Sequence, residues 1–247
     1  MTTILKIGGS VITDKDEPET LDREAIERAA ATIAGHDDSV LVHGAGSFGH
    51  YHATEHAVSR TAGTHDARAV RAIHDSMVSL NAAVLDALSA EGVPALPVPP
   101  LSITTRTTDG ELRFPIEQVQ TMLLEGFVPV LYGDVIVHEG KGATIVSGDE
   151  LVRVLTAGLD ADRVGLCSAV PGVLDEDDAV IPEIDTFADA ADVLGESDSM
   201  DVTGGMAAKV RALLALETPA FVFDRDGLAP FLNGDCPGTR IGYEPDL

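Results

Sequence analysis

Two apolar runs that break abruptly into glycines constrain this chain most. Leu5-Lys6-Ile7 enters Gly8-Gly9-Ser10, and Val40-Leu41-Val42 enters His43-Gly44-Ala45-Gly46-Ser47-Phe48-Gly49-His50. Each run reads as a buried strand. Glycines straight after it let backbone N–H groups approach an anion with no Cβ in the way. Two such turns side by side at strand ends would make a phosphate-binding floor, and a phosphoryl transfer is the chemistry such a floor suits.

The rest of the chain alternates in type. Strands are expected at Thr3–Ile7, Ser39–Val42, Ala95–Val98, Phe127–Leu131, Arg163–Leu166, Val180–Ile184 and Ala220–Phe223, with a final edge at Thr239–Ile241. A hairpin is expected from Val135–Val137 and Ala143–Val146 around Glu139-Gly140. Helices are expected over Leu21–Ala34, capped by Asp22, and over Phe114–Glu125, Gly148–Leu159, Phe187–Leu194 and Thr203–Leu216. The longest runs from Asp66 to Ala90, where Val70, Ile73, Met77, Leu80, Val84 and Leu88 line one apolar face. Ser10–Thr20 reads as a polar loop. Strands alternating with helices argue for an α/β fold, a mostly parallel central sheet sandwiched between helices. No repeat, low-complexity tract or linker divides the 247 residues, so one unit is expected.

Composition excludes several functions. The net charge is −25, so the chain repels nucleic acid and anionic membranes. No apolar run reaches the ~18 residues of a membrane span, and no basic stretch followed by an apolar run opens the sequence, so a signal peptide is not expected. Cys167 and Cys236 lack any metal or CxxC spacing and read as reduced thiols of a cytoplasmic protein. Seven histidines other than His50, including His52, His56 and His65, show no metal spacing and read as solvated, so no metal ligands are assigned.

Lysine usage is sharper. Only Lys6, Lys15, Lys141 and Lys209 occur, against twelve arginines. Lys6 and Lys15 flank the first glycine turn, and Lys209 follows a second pattern, Asp201-Val202-Thr203-Gly204-Gly205-Met206, that opens a helix. A chain that avoids surface lysine should keep those whose compact ammonium binds phosphate. Lys141, in Gly140-Lys141-Gly142, fits a phosphate ligand or a surface residue equally well. Gly133-Asp134 and Ser147-Gly148-Asp149 bracket the hairpin. Asp149, in the first turn of its helix, fits a helix-terminus partner, a holder of two lysines, or a water-mediated ligand of Mg²⁺. Gly44, Gly46 and Gly49 also match the dinucleotide pattern GxGxxG. That reading needs a second strand ending in an acidic residue about 20 residues on, where the Asp66 helix begins instead. The P-loop pattern GxxxxGK[ST] does not occur.

The strings KIGGS, GAGSFGH, GD…SGD and DVTGGM…K, in this order, resemble the amino acid kinase fold family along nearly the whole chain. Within it, the run from Gly8 to Lys15 and the closing His50 are similar to the isopentenyl phosphate kinases. Fosfomycin-modifying kinases share much of the GAGSFGH string and are the nearest alternative. A nucleotide or anion binder of the same fold, without turnover, is another.

The resemblance implies ATP and Mg²⁺, with the γ-phosphoryl group moved onto isopentenyl phosphate to give isopentenyl diphosphate for isoprenoid synthesis. It implies a catalytic set of Lys6, Lys15, His50, Asp149 and Lys209. ATP would contact Lys6, Gly8, Gly9, Ser10, Gly46, Gly205 and Lys209, and the acceptor would contact Ala45, Gly46, His50 and Gly148. Adenine would sit near Val170 to Leu174. The acceptor half would span about 1–160 and the nucleotide half about 161–247. The fold often forms homodimers, and the acidic composition fits a halophilic archaeal source.

That composition generates a first prediction. Forty-one carboxylates against sixteen basic residues repel one another, and the Debye length falls from about 10 Å at 0.1 M salt to about 3 Å at 1 M. The unfolding midpoint should therefore rise steeply between about 0.1 M and about 2 M KCl. Equal midpoints in a thermal melt at the two salts would contradict this.

Overall fold

The computed structural model describes residues 1–14, 16–36, 38–194 and 205–242. The chain runs through β1 (Thr3–Ile7), the single turn α1 (Gly9–Ile12), α2 (Arg23–Ile33), β2 (Ser39–His43), α3 (Gly46–Glu55) and α4 (Ala67–Ala90). It continues through β3 (Ala95–Pro97), α5 (Pro100–Ile103), β4 (Thr105–Arg106), β5 (Leu112–Arg113), α6 (Ile116–Leu124), β6 (Val128–Tyr132), β7 (Asp134–His138), β8 (Gly142–Val146) and α7 (Gly148–Leu159). Last come β9 (Arg163–Cys167), β10 (Glu183–Ile184), α8 (Ala191–Leu194), α9 (Gly205–Leu214), β11 (Ala220–Phe223), α10 (Leu228–Leu232) and β12 (Thr239–Ile241).

Among the described residues, eight strands form one sheet in the order β10-β12-β11-β9-β1-β2-β6-β3. Every neighbouring pair in it is parallel except β11 with β12. A smaller sheet, β5-β4-β7-β8, holds the hairpin. The alternation of side chains along a strand divides the core. Ile4, Val40 and Val42 pack with Leu151 and Leu155 of α7 and Val210 of α9. Leu5, Ile7 and Leu41 face the other way, onto Ile26 and Ile33 of α2, Met77 and Leu80 of α4 and Phe231 of α10. Lys6 shares the parity of Ile4, so its side chain leaves the sheet towards α7.

The carboxyl ends of β9, β1, β2 and β6 form the floor of the cleft. Hydrogen bonds carry the ladder one residue past the strands: Gly8 N–H donates to Cys167 O (2.8 Å), Gly44 N–H to Ile7 O (2.9 Å) and Gly133 N–H to His43 O (3.2 Å). The two glycine turns are thereby pressed together. A Cβ on Gly9 would lie 2.1 Å from the Gly46 nitrogen, and one on Gly44 would lie 2.4 Å from the Gly9 nitrogen. Thr13 ties them further, its hydroxyl donating to Gly9 O (2.9 Å) and accepting from Ser47 N–H (3.1 Å).

Several expectations need correction. The second glycine turn runs straight into α3, which the sequence hid because Gly46 and Gly49 are poor helix formers. Packing decides there, since Gly49 abuts Met77 so closely that a Cβ would sit 2.7 Å from its sulfur. Gly9–Ile12 is one helical turn rather than loop. Leu21 bridges to Thr13 ahead of α2, whose cap is Asp22 as expected. Thr239–Ile241 is no edge, because β10 pairs outside it. Phe187–Ala190 is a 3₁₀ turn leading into α8, and α10 was not foreseen. Thr203, the expected start of the Thr203–Leu216 helix, lies outside the described residues, and the helix is seen from Gly205 to Leu214.

Because backbone faces backbone at this junction, no rotamer change can relieve an added methyl. Gly44→Ala should destabilise the fold by about 1–3 kcal/mol. For a chain of this size that lowers the midpoint by roughly 2–4 °C per kcal/mol. An unshifted thermal melt would show that the two turns are not in fixed contact.

Candidate active site

A cleft of about 1030 Å³ opens over the junction of the two turns. Lys6, Gly8, Gly9, Ser10, Ala45, Gly46, His50, Gly148, Asp149, Gly205 and Lys209 all line it. The structure thus brings together every described residue of the expected site. Lys15, like Asp201 to Gly204, lies outside the described residues, although Asp16 and Pro18 line the same cleft.

Lys6 is 8% exposed, and its Nζ lies 2.6 Å from Oδ1 of Asp149. Asp149 is held in the first turn of α7 by a reciprocal cap. Ser147 Oγ accepts from Glu150 N–H (3.2 Å), and Glu150 Oε2 accepts from Ser147 N–H (3.0 Å). Glu150 also pairs with Arg106 (3.0 Å) and Arg60 (3.4 Å). Gly148 leaves room for the lysine stem, since a Cβ there would stand 3.1 Å from Lys6 Cε. Burial works against the charge on Asp149, but Lys6, Lys209 and Arg60 outweigh it and hold the carboxyl below its ordinary range. Two lysines from distant parts of the chain therefore act on one carboxylate. Three glycine-bearing backbone segments, beginning at Gly8, Ala45 and Gly205, face the same space.

The other end of the cleft is apolar. Ile73 and Met77 of α4, Ala53 of α3, and Ile145 and Val146 of β8 line it. His50, exposed on α3, lines the same cleft. Beside the apolar end, Asp134 is 1% exposed and accepts from Nδ1 of His74 at 2.8 Å. Burial pushes Asp134 above its ordinary range against the pull of His74, and the bond to Asp134 pushes His74 up in turn. Ser168, Ala169 and Val170, after β9, also line the cleft.

Sequence reasoning missed Arg60, which lines the cleft from an irregular stretch with no motif, and it missed the His74–Asp134 pair. It also read the other histidines as solvated. His43 is buried, stacked on Tyr132 at 5.3 Å with Nε2 bonded to Asn81, and His138 is buried beside Thr144. His52 and His56 converge on Glu55. Lys141 turns away from the cleft and donates to Thr61 O at 3.2 Å, tying the hairpin to the loop beneath α3. Cys167 is buried and Cys236 exposed, both as free thiols. No helix among the described residues is long and apolar enough to cross a membrane.

Comparison with known proteins places the chain in a family. The amino acid kinase family model matches residues 1–223. The chain is 65% identical to the isopentenyl phosphate kinase of Haloferax volcanii over 98% of each sequence, and 38% identical to that of Methanothermobacter thermautotrophicus over 86% of each. A crystal structure of isopentenyl phosphate kinase superposes with a TM-score of 0.82 at 30% identity, covering 98% of this chain and all of the other. The product complex of the Thermoplasma acidophilum enzyme superposes with a TM-score of 0.79 at 26% identity, with the same coverage. The glycine turns, the two lysines and the carboxylate between them are thus set in a known framework: this chain belongs to the amino acid kinase family and, within it, to the isopentenyl phosphate kinases.

Proposed function

We propose that this protein transfers the γ-phosphoryl group of ATP to isopentenyl phosphate, releasing ADP and isopentenyl diphosphate for isoprenoid synthesis. The observation that carries the reading is the Lys6–Asp149 pair at the junction of the glycine turns, with Lys209 acting on the same carboxylate. An oxygen of the acceptor phosphate bonds to the γ-phosphorus as the bond to the β–γ bridging oxygen breaks, and ADP carries that electron pair away. The acceptor is already an anion, so no strong general base is required. Positioning and charge neutralisation supply the catalysis.

Gly8, Gly9, Ser10 and Gly46 offer backbone and hydroxyl donors to the β- and γ-phosphates, with Gly205 at the start of α9. Lys6, Lys209 and Lys15 neutralise charge on the transferring group, and Asp149 orients the lysines. Mg²⁺ would be held mainly by phosphate oxygens and water, with the Asp149 carboxylate reaching it through water, and would supply charge neutralisation. The acceptor lies in the half spanning about 1–160, against Ala45, His50 and Gly148, with its short chain towards Met77. The nucleotide lies on the half spanning about 161–247, with adenine beyond Val170. A homodimer is the expected assembly, and the exposed apolar side chains of Leu96, Leu124 and Phe127 at the β3 end of the sheet support one.

A coupled ADP-release assay tests the reaction directly. Turnover with isopentenyl phosphate, exceeding that with fosfomycin, is expected. ATP binding without turnover of any phosphate acceptor would leave a binder.

Lys6→Ala and Lys209→Ala should lower kcat far more than they raise the KM for ATP. Losing a transition-state donor costs ~2.7–4 kcal/mol, or about 10²–10³ in rate. Near-normal turnover in both variants would remove the proposed clamp.

Asp149 generates a pH prediction. Its folded pKa is lowered, so the stabilisation it contributes is fully present above the unfolded carboxylate value of about 4 and is lost as pH falls through the lowered value. Melts of wild type and Asp149→Asn should differ by a constant amount between about pH 5 and 8 and converge only in acid. A gap that changes near neutrality would show that the pair is not the source.

At the acceptor end, His50→Ala should weaken isopentenyl phosphate binding by about tenfold to a hundredfold, the loss of a charge-assisted hydrogen bond, with ATP binding intact. Met77→Ala should admit longer alkenyl monophosphates. The measurement is kcat/KM with isopentenyl and geranyl phosphate, and an unchanged acceptor KM in His50→Ala would reassign the histidine.

A further inference from the structure

The rim of the cleft carries a second group of ligating side chains. His52, Glu55 and His56 are spaced i, i+3 and i+4 at the end of α3, which brings them to one face. One ligand atom from each lies within 4.8 Å of the other two. Nδ1 of His52 is 3.4 Å from Oε2 of Glu55, and Nε2 of His56 is 3.9 Å from that same oxygen. A tetrahedral site with bonds of about 2.0–2.1 Å has ligands about 3.3 Å apart. Small side-chain rotations would close the gap.

Glu19 favours the tautomer of neutral His52 that ligation needs. Nε2 of His52 lies 3.2 Å from Oε1 of Glu19, a carboxylate that can only accept, so Nε2 carries the proton. In the neutral ring the lone pair is then on Nδ1, which is buried, makes no hydrogen bond and faces Oε2 of Glu55 at 3.4 Å. A carboxylate behind a histidine in this way fixes the ring and raises its basicity in metal sites. His56 and Glu55 are partly open to solvent, which gives an ion a path of entry.

We propose that Nδ1 of His52, the Glu55 carboxylate and Nε2 of His56 bind a borderline transition-metal dication of the Zn²⁺ class, with water completing the shell. Two imidazoles and one carboxylate suit such an ion and disfavour Mg²⁺, which prefers oxygen ligands. The site is separate from the phosphate floor, yet Glu55 lines the cleft and His50 stands two residues before His52 on the same helix. A bound ion would pin the end of α3 and, through Glu19, the segment that follows α1. It would stiffen the wall that carries His50.

The test titrates the metal-stripped, nucleotide-free full chain with Zn²⁺ alone by calorimetry, and with Co²⁺ followed by visible absorption. Wild type should bind one equivalent with micromolar or tighter affinity, and Co²⁺ should show the intense bands of low coordination. Glu55→Gln and His56→Ala should each weaken binding at least tenfold, with unchanged far-ultraviolet circular dichroism. Cys236→Ser, which removes the exposed thiol, should bind as wild type does. The absence of a saturable equivalent in wild type would overturn the proposal. So would full affinity in both ligand variants, or loss of binding in Cys236→Ser.

Discussion

The pairing of Lys6 with Asp149 is the interaction on which the rest of this structure depends. A lysine on a central strand must be taken out of water, and a buried ammonium without a partner costs several kcal/mol. The fold meets that cost by aiming the amino-terminal turn of α7 at it. Asp149 gains from the helix dipole there as well as from the lysine, and the Ser147–Glu150 cap fixes the turn that presents it. The sheet order places this contact where the chain changes direction, with β2 on one side of β1 and β9 on the other. Open α/β sheets bind their ligands in crevices of this kind, beyond the carboxyl ends of the strands.

Close approach of backbone to backbone is the second constraint. Gly9, Gly44 and Gly46 are required because each would drive a Cβ into the neighbouring turn or into Thr13. Gly46 also has φ of +51°, which a side chain would resist. The result is a floor of backbone donors with little freedom to move, which suits electrostatic stabilisation because little reorganisation is needed when charge shifts. The apolar end of the cleft is built differently, from Ile73 and Met77 of a long core helix. The same residues pack the core and shape the end of the cleft, so a substitution at Met77 changes both at once.

Charge is distributed with the same economy. A chain of net charge −25 must still concentrate positive potential where phosphates are expected. It does so with two of its four lysines and with Arg60 around a single carboxylate. Lys141 shows the limit of that reasoning, since its ammonium serves a loop carbonyl instead. Lysine scarcity says which residues to inspect, and only packing says which of them meet.

The sequence by itself determined the α/β alternation, the two strand-to-glycine turns, the Asp22 cap and the long apolar face of α4. These are local properties, legible because strand and helix periods and capping chemistry act over a few residues. It also singled out Lys6, Asp149 and Lys209, because glycine turns and helix starts are themselves short motifs. Tertiary structure alone decided that α3 would be a helix despite two glycines, since the contact of Gly49 with Met77 overrides weak propensity. It placed β12 inside the sheet, buried His43 against Tyr132, and brought Arg60 to the cleft from a stretch with no pattern. It also set Glu19 behind His52, 33 residues away, a contact that no spacing rule connects. Lys6 and Asp149 stand 143 residues apart, and only the order of strands in the sheet sets the 2.6 Å between their charges.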